Sequence, residues 1–98
     1  VALSSRMGSI GARTASSVWL YRASKAALNS VVKDVALSLA GRAVCVALHP
    51  GWVRTDMGGA NAEVDVERSV AGMRATAARL QPSDNGHFLD HRGQPIPW

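Results

Sequence analysis

One stretch constrains the fold more than any other: a helical run from Trp19 to Leu39, a glycine at position 41, and the continuous apolar run Ala43 to Leu48 closed by Pro50-Gly51. In the first part Ala23, Ala26, Ala27, Ala36 and Ala40 favour helix, and Leu28, Val31, Val32, Val35 and Leu39 recur at three-and-four spacing. Gly41 supplies the stop, because glycine takes the left-handed conformation just past a helix end without steric penalty. A short apolar run containing β-branched residues and bounded by turn residues reads as a strand buried on both faces, as in a parallel sheet. Val1-Ala2-Leu3 reads as the end of another buried strand, and the polar stretch Arg6 to Ser17 as a loop, so the first half is a strand-helix-strand unit.

Further along, Trp52 to Glu63 is a long loop rich in glycine and small residues, of the kind that lines sites in α/β proteins. Asp65 is placed to N-cap a second helix to about Leu80, with Val66, Val70, Met73, Ala77 and Leu80 on one stripe. Gly86 to Leu89 reads as a last short strand, Asp90 to Gln94 as a turn and Ile96-Pro97-Trp98 as a tail. With no repeat and no linker, the 98 residues are expected to belong to one α/β domain in the order strand, helix, strand, helix, strand.

Composition narrows the function classes. The longest apolar run is far shorter than the roughly 20 residues needed to cross a bilayer, and the first residues carry no charged n-region, so neither a membrane span nor a signal peptide is read. A single cysteine, Cys45, excludes an internal disulfide and a Cys-rich metal site. Flanked by Val44 and Val46 it reads as a small core hydrophobe, and a reducing cytoplasm is expected. His49, His87 and His91 lack ligand spacing, so no metal and no chemistry is assigned to them. The net charge of +4 is uneven: residues 1–49 hold six basic groups against one acid, residues 50–98 five against six. Clustered arginine is the footprint of nucleic-acid binders, but these bases are scattered and not interleaved with aromatics. No nucleic-acid partner is expected; a nucleotide cofactor is a better home for local positive charge.

Tyr21 and Lys25 sit four apart at the start of the long helix, so their side chains rise on the same face. An ammonium beside a phenol favours the phenolate, which eases proton exchange. The stretch Tyr21-Arg22-Ala23-Ser24-Lys25-Ala26-Ala27-Leu28-Asn29 resembles the Tyr-x-x-x-Lys signature of the short-chain dehydrogenases/reductases. Upstream, Ser4-Ser5-Arg6-Met7-Gly8-Ser9-Ile10 resembles that family's serine-bearing strand end. Downstream, the run from His49-Pro50-Gly51-Trp52-Val53-Arg54-Thr55-Asp56 to Met57-Gly58-Gly59 resembles its Pro-Gly cofactor loop. Three motifs in the family's order cover essentially the whole chain, and the detail is most similar to the C-factor and sniffer-like carbonyl reductases.

The resemblance implies an NAD(P)-dependent oxidoreductase that reduces a small carbonyl, or oxidises an alcohol, by hydride transfer. Tyr21 is then the proton donor. Lys25 tunes Tyr21 and donates to the nicotinamide ribose, and Ser5 donates to the carbonyl oxygen, with Ser4 left open for that role. Pro50, Gly51, the backbone of Val53 and the hydroxyl of Thr55 would hold the nicotinamide carboxamide, and Trp52 and Met57 would face substrate. NADP is the expected cofactor, with NAD left open, and family members commonly pair through the long helix, which implies a homo-oligomer. The fold implied is the C-terminal part of a Rossmann-type doubly wound parallel sheet. The family's Gly-rich first turn, its Asn-Ala-Gly segment and its catalytic asparagine have no match here. On the order of 100 residues are therefore expected before Val1, and the 98 residues alone are expected to be inactive. The rival reading is a non-catalytic binding or interaction module that retains part of the fold.

Overall fold

The computed structural model describes residues 1–98. Its elements are β1 (Ala2–Leu3), a 3₁₀ turn at Arg6–Gly8, α1 (Trp19–Ser38), β2 (Ala47–His49), α2 (Val66–Arg79), a second 3₁₀ turn at Pro82–Asp84, and β3 (Phe88–Asp90). The strands form one parallel sheet in the order β1-β2-β3, with Ala2 opposite Ala47 and Ala47 opposite Phe88. This is the expected α/β alternation of a Rossmann-type sheet.

Side chains on β2 alternate between two buried faces. Ala47 joins Val32 of α1, Phe88 and Ile96 on one side; Val46 and Leu48 join Leu89 on the other, with Met73 and Leu80 packed against them. One helix therefore covers each face of the sheet. Strands laid side by side in chain order with helices on opposite faces require one crossover of each hand, although about 98% of such crossovers are right-handed.

The structure corrects the sequence reading in five places. β2 begins only at Ala47, because β1 offers a ladder of two residues, and Cys45 lies half-buried ahead of the strand, not in the core. Its N–H is taken by Asn85 Oδ1 at 2.8 Å. On α1 the inward face is Arg22, Asn29, Val32 and Ala36, which leaves Val31 57% and Val35 40% exposed. On α2 Val66, Val70 and Ala77 are exposed, and Ser69 and Thr76 are the buried positions. Their hydroxyls account for this: Ser69 Oγ donates to the Pro50 carbonyl at 2.7 Å and Thr76 Oγ1 to the His91 carbonyl at 3.2 Å. Between them, a Cβ on Gly72 would stand 2.6 Å from the His91 carbonyl oxygen, so this small-residue face lets the helix lie directly on loop backbone.

The remaining two corrections concern the end of the chain. β3 runs Phe88–Asp90, shifted from the expected position, and the buried Asp90 carboxylate closes the following turn by accepting from the Arg92 and Gln94 N–H groups at 2.8 and 2.9 Å. The final segment is core and not a tail. Ile96 is buried and donates its N–H to the Phe88 carbonyl at 2.8 Å, and the Trp98 ring stacks on Phe88 with centroids 5.5 Å apart. Elsewhere the boundaries agree with expectation. Asp65 caps α2 by accepting the Arg68 N–H at 2.7 Å, and Gly41 takes φ 79 beyond α1. No helix is long and apolar enough to cross a membrane.

Candidate active site

In a parallel sheet, loops leaving the carboxyl ends of the strands share one edge, the usual place for a ligand. Here the segments after β1 and β2, with α1 and α2 beside them, enclose a cleft of about 660 Å³. Ser4, Ser5 and Arg6 reach it from β1, Tyr21 from α1, and Pro50, Gly51, Trp52, Val53, Thr55 and Met57 from β2; Ser69, Val70 and Met73 of α2 form part of its wall. Every sequence-assigned site residue except Lys25 is therefore on one surface.

The two serines differ in what their hydroxyls already do. Ser4 Oγ donates to Asn29 Oδ1 at 2.6 Å, in a buried contact with α1. Ser5 Oγ accepts the Met7 N–H at 3.1 Å, which caps the 3₁₀ turn and leaves its proton uncommitted. Gly8 allows that turn to sit against α1: a Cβ there would lie 2.7 Å from the Lys25 carbonyl carbon. This close approach sets the spacing between Ser5 and the face of α1 that carries Tyr21.

Tyr21 occupies the first turn of α1, half-buried, and Lys25 Nζ stands 5.9 Å from the centre of its ring, off the cleft wall. That distance is within the range of attraction between an ammonium and an aromatic face. No side chain caps α1. Val18 before it holds φ 43, strained for a β-branched residue, and Arg22 Nε donates to the Ser17 carbonyl at 2.8 Å across this bend.

The Pro50 loop presents bare backbone. Gly51 has φ 89, and a Cβ there would stand 3.1 Å from the His91 imidazole, so a side chain would be strained by the conformation and crowded by the ring. At the base of the loop, Arg54 N–H donates to the Val64 carbonyl at 2.7 Å and Val64 N–H to the Trp52 carbonyl at 3.0 Å. Val53 N–H has no partner in the fold. Thr55 Oγ1 accepts the Gly58 N–H at 3.1 Å, and Trp52 Nε1 donates to the Gly58 carbonyl at 2.8 Å, which stiffens the turn bearing the 80% exposed Met57.

Three polar cleft residues went unassigned in the sequence. Ser69 fixes the Pro50 carbonyl; its only signal was a hydroxyl beside an apolar stripe. Arg6 lay within the quoted serine motif. His49, at the end of β2, lines the cleft with its pKa lowered to about 4, first by burial and then by the Arg6 cation, against the opposing pull of Asp90. The imidazole is neutral at physiological pH.

Comparison with known proteins identifies the family and agrees with the fold. A family model described as enoyl-(acyl carrier protein) reductase matches residues 1–88. The C-signal protein of Myxococcus xanthus is 44% identical over 97 residues, covering 98% of this chain and 58% of that protein. The carbonyl reductase Sniffer of D. melanogaster superposes with a TM-score of 0.94 at 42% identity, over 98% of this chain and 39% of that one. The chain belongs to the short-chain dehydrogenase/reductase family. Within this oxidoreductase family, the carbonyl reductase from chicken fatty liver, crystallised with NADPH bound, gives a TM-score of 0.85 at 39% identity, over 98% of this chain and 41% of that one. The chain thus spans between about two fifths and three fifths of the length of these relatives.

Proposed function

We propose that the protein is an NADP-dependent carbonyl reductase whose proton donor is Tyr21. The observation that carries this reading is the convergence on one cleft of a serine with a free hydroxyl proton, a phenol with an ammonium beside its ring, and an unpaired backbone N–H. Reduction of a carbonyl leaves its oxygen needing a proton, and two hydroxyl donors at the oxygen stabilise the charge that develops there. Ser5 donates a hydrogen bond to that oxygen and Tyr21 transfers the proton. Lys25 favours the resulting phenolate electrostatically, and its three donors suit the ribose hydroxyls of a nicotinamide nucleotide.

The β2 loop fits the nicotinamide end of such a cofactor. A carboxamide offers both a donor and an acceptor; the free Val53 N–H meets the acceptor, and Gly51 lets backbone approach where a side chain would be crowded. Pro50, held by Ser69, and Thr55 complete this side. The cofactor supplies the hydride when bound. Trp52 and Met57 stand at the mouth, where they contact substrate and exclude water from the reacting carbon. NADP is favoured over NAD because similar reductases were crystallised with it. Residues 1–98 serve as the nicotinamide-side part of a single Rossmann-type domain, since the sequence has no Gly-rich turn for a pyrophosphate. The exposed Trp19, Leu20, Val31 and Val35 on α1 favour a homo-oligomer built through that helix, and the unpaired Cys45 suits the cytoplasm.

The test uses full-length protein, in thermal unfolding with NADP or NAD and in NADPH oxidation with a panel of small ketones and aldehydes. A ligand that binds only the native state raises its apparent stability, so a rise with NADP together with turnover is expected. Neither effect with either cofactor would favour the non-catalytic module.

A further inference from the structure

We propose that the substrate carries a carboxylate, or an equivalent anionic group, close to its carbonyl, and that Arg6 selects it; this inference rests on the carbonyl-reductase reading. Arg6 is the only charged residue on the cleft wall at neutral pH: no Asp or Glu lines the cleft, and Lys25 and Asp56 are off it. Its guanidinium takes part in none of the fold's ion pairs and in no side-chain hydrogen bond, so the fold does not consume it. It lines the same cleft as His49, where its positive charge adds to burial in holding that imidazole neutral.

The rest of the wall is largely apolar, with Leu3, Met7, Val53 and Met73 among its members. Against that apolar surface the exposed, unpaired guanidinium is the one group that offers a ligand a charge-assisted hydrogen bond. A carboxylate would meet two parallel N–H donors in a geometry suited to it. Ser5 and Arg6 both line this cleft, so a ligand whose carbonyl oxygen meets Ser5 can extend along the same wall to place an anionic group on Arg6.

The test pairs substrates that differ only in charge: benzoylformate and levulinate against their methyl esters, with full-length wild type and the variants Arg6→Gln and Arg6→Lys. Binding to the protein saturated with NADP is read by calorimetry and turnover by NADPH oxidation. The Arg6 side chain is exposed and makes no hydrogen bond or ion pair, so the variants are expected to melt as wild type does. For at least one pair the wild type should favour the acid, in binding and in kcat/KM, by roughly ten- to a hundredfold, the range for a hydrogen bond to a charged group. Arg6→Gln should abolish that preference and Arg6→Lys should keep part of it. Equal affinity of wild type for acids and esters, or a preference that survives Arg6→Gln, overturns the proposal. Arg6-dependent binding of the acids without turnover of any carbonyl would keep the anion site and refute the reductase reading.

Discussion

Ser4 and Ser5 are neighbours of identical chemistry, and the structure separates them by the bonds their hydroxyls already make. Replacing Ser4 by Ala strands the buried Asn29 Oδ1, beside an Asn29 Nδ2 that already lacks a partner, and is expected to lower stability by about 1–3 kcal/mol in chemical denaturation while sparing much of the turnover. Replacing Ser5 by Ala removes the proposed donor to the substrate carbonyl and should lower kcat by about a hundredfold or more, while the lost cap on the Met7 N–H costs about 1 kcal/mol of stability. Equal losses of kcat in the two variants would contradict the assignment. The sequence motif favoured Ser5 and left Ser4 open; the contact that distinguishes their hydroxyls, Ser4 to Asn29, joins residues 25 apart and so is not local. Gly51→Ala should be among the more damaging small substitutions, since it combines a left-handed φ of 89 with a contact at 3.1 Å to His91. Its effect is expected on both melting temperature and cofactor affinity.

At the scale of elements, α1, α2 and their boundaries were legible because caps and stops are local: Asp65 and Gly41 do what their side chains dictate wherever they occur. The expected loss on Asp65→Ala is about 1 kcal/mol, measurable as a shift in denaturation midpoint with an unchanged slope. Which face of each helix turns inward was not legible. Apolar spacing placed Val66, Val70 and Ala77 of α2 inward, whereas the helix lies on loop carbonyls that need donors and close approach, and so it turns Ser69, Gly72 and Thr76 toward them. The final residues failed for a related reason. Nothing local in Ile96-Pro97-Trp98 announces that Phe88 offers it a carbonyl and a ring face. The site residues assigned from the three motifs, Lys25 apart, meet on this cleft because the motifs lie where β1, α1 and β2 approach one sheet edge, whereas Arg6, His49 and Ser69 had no such local signal.

For the whole molecule, acid sensitivity follows from two groups at the β2 and β3 ends. Burial, reinforced by Arg6 and partly opposed by Asp90, lowers His49 from 6.5 to about 4, so on acidification the unfolded chain takes up this proton first. Its contribution is complete above the unfolded value and is lost as pH falls from about 6.5 to about 4. Burial alone would raise the Asp90 pKa, but the Gln94 and Arg92 N–H groups and the Arg92 guanidinium outweigh it, so Asp90 sits below its ordinary 3.8 and adds its own loss only in stronger acid. Denaturation of wild type at about pH 7 and about pH 4.5 should therefore show a loss that His49→Asn largely removes; the same loss in both proteins would contradict the assignment. The central claim, that this cleft moves a proton from Tyr21 to a reduced carbonyl, is tested most directly by NADPH-dependent carbonyl reduction with full-length wild type and Tyr21→Phe. The account predicts a fall in kcat of at least about a hundredfold with NADPH affinity nearly unchanged. Turnover by the phenylalanine variant within a few-fold of wild type would contradict it.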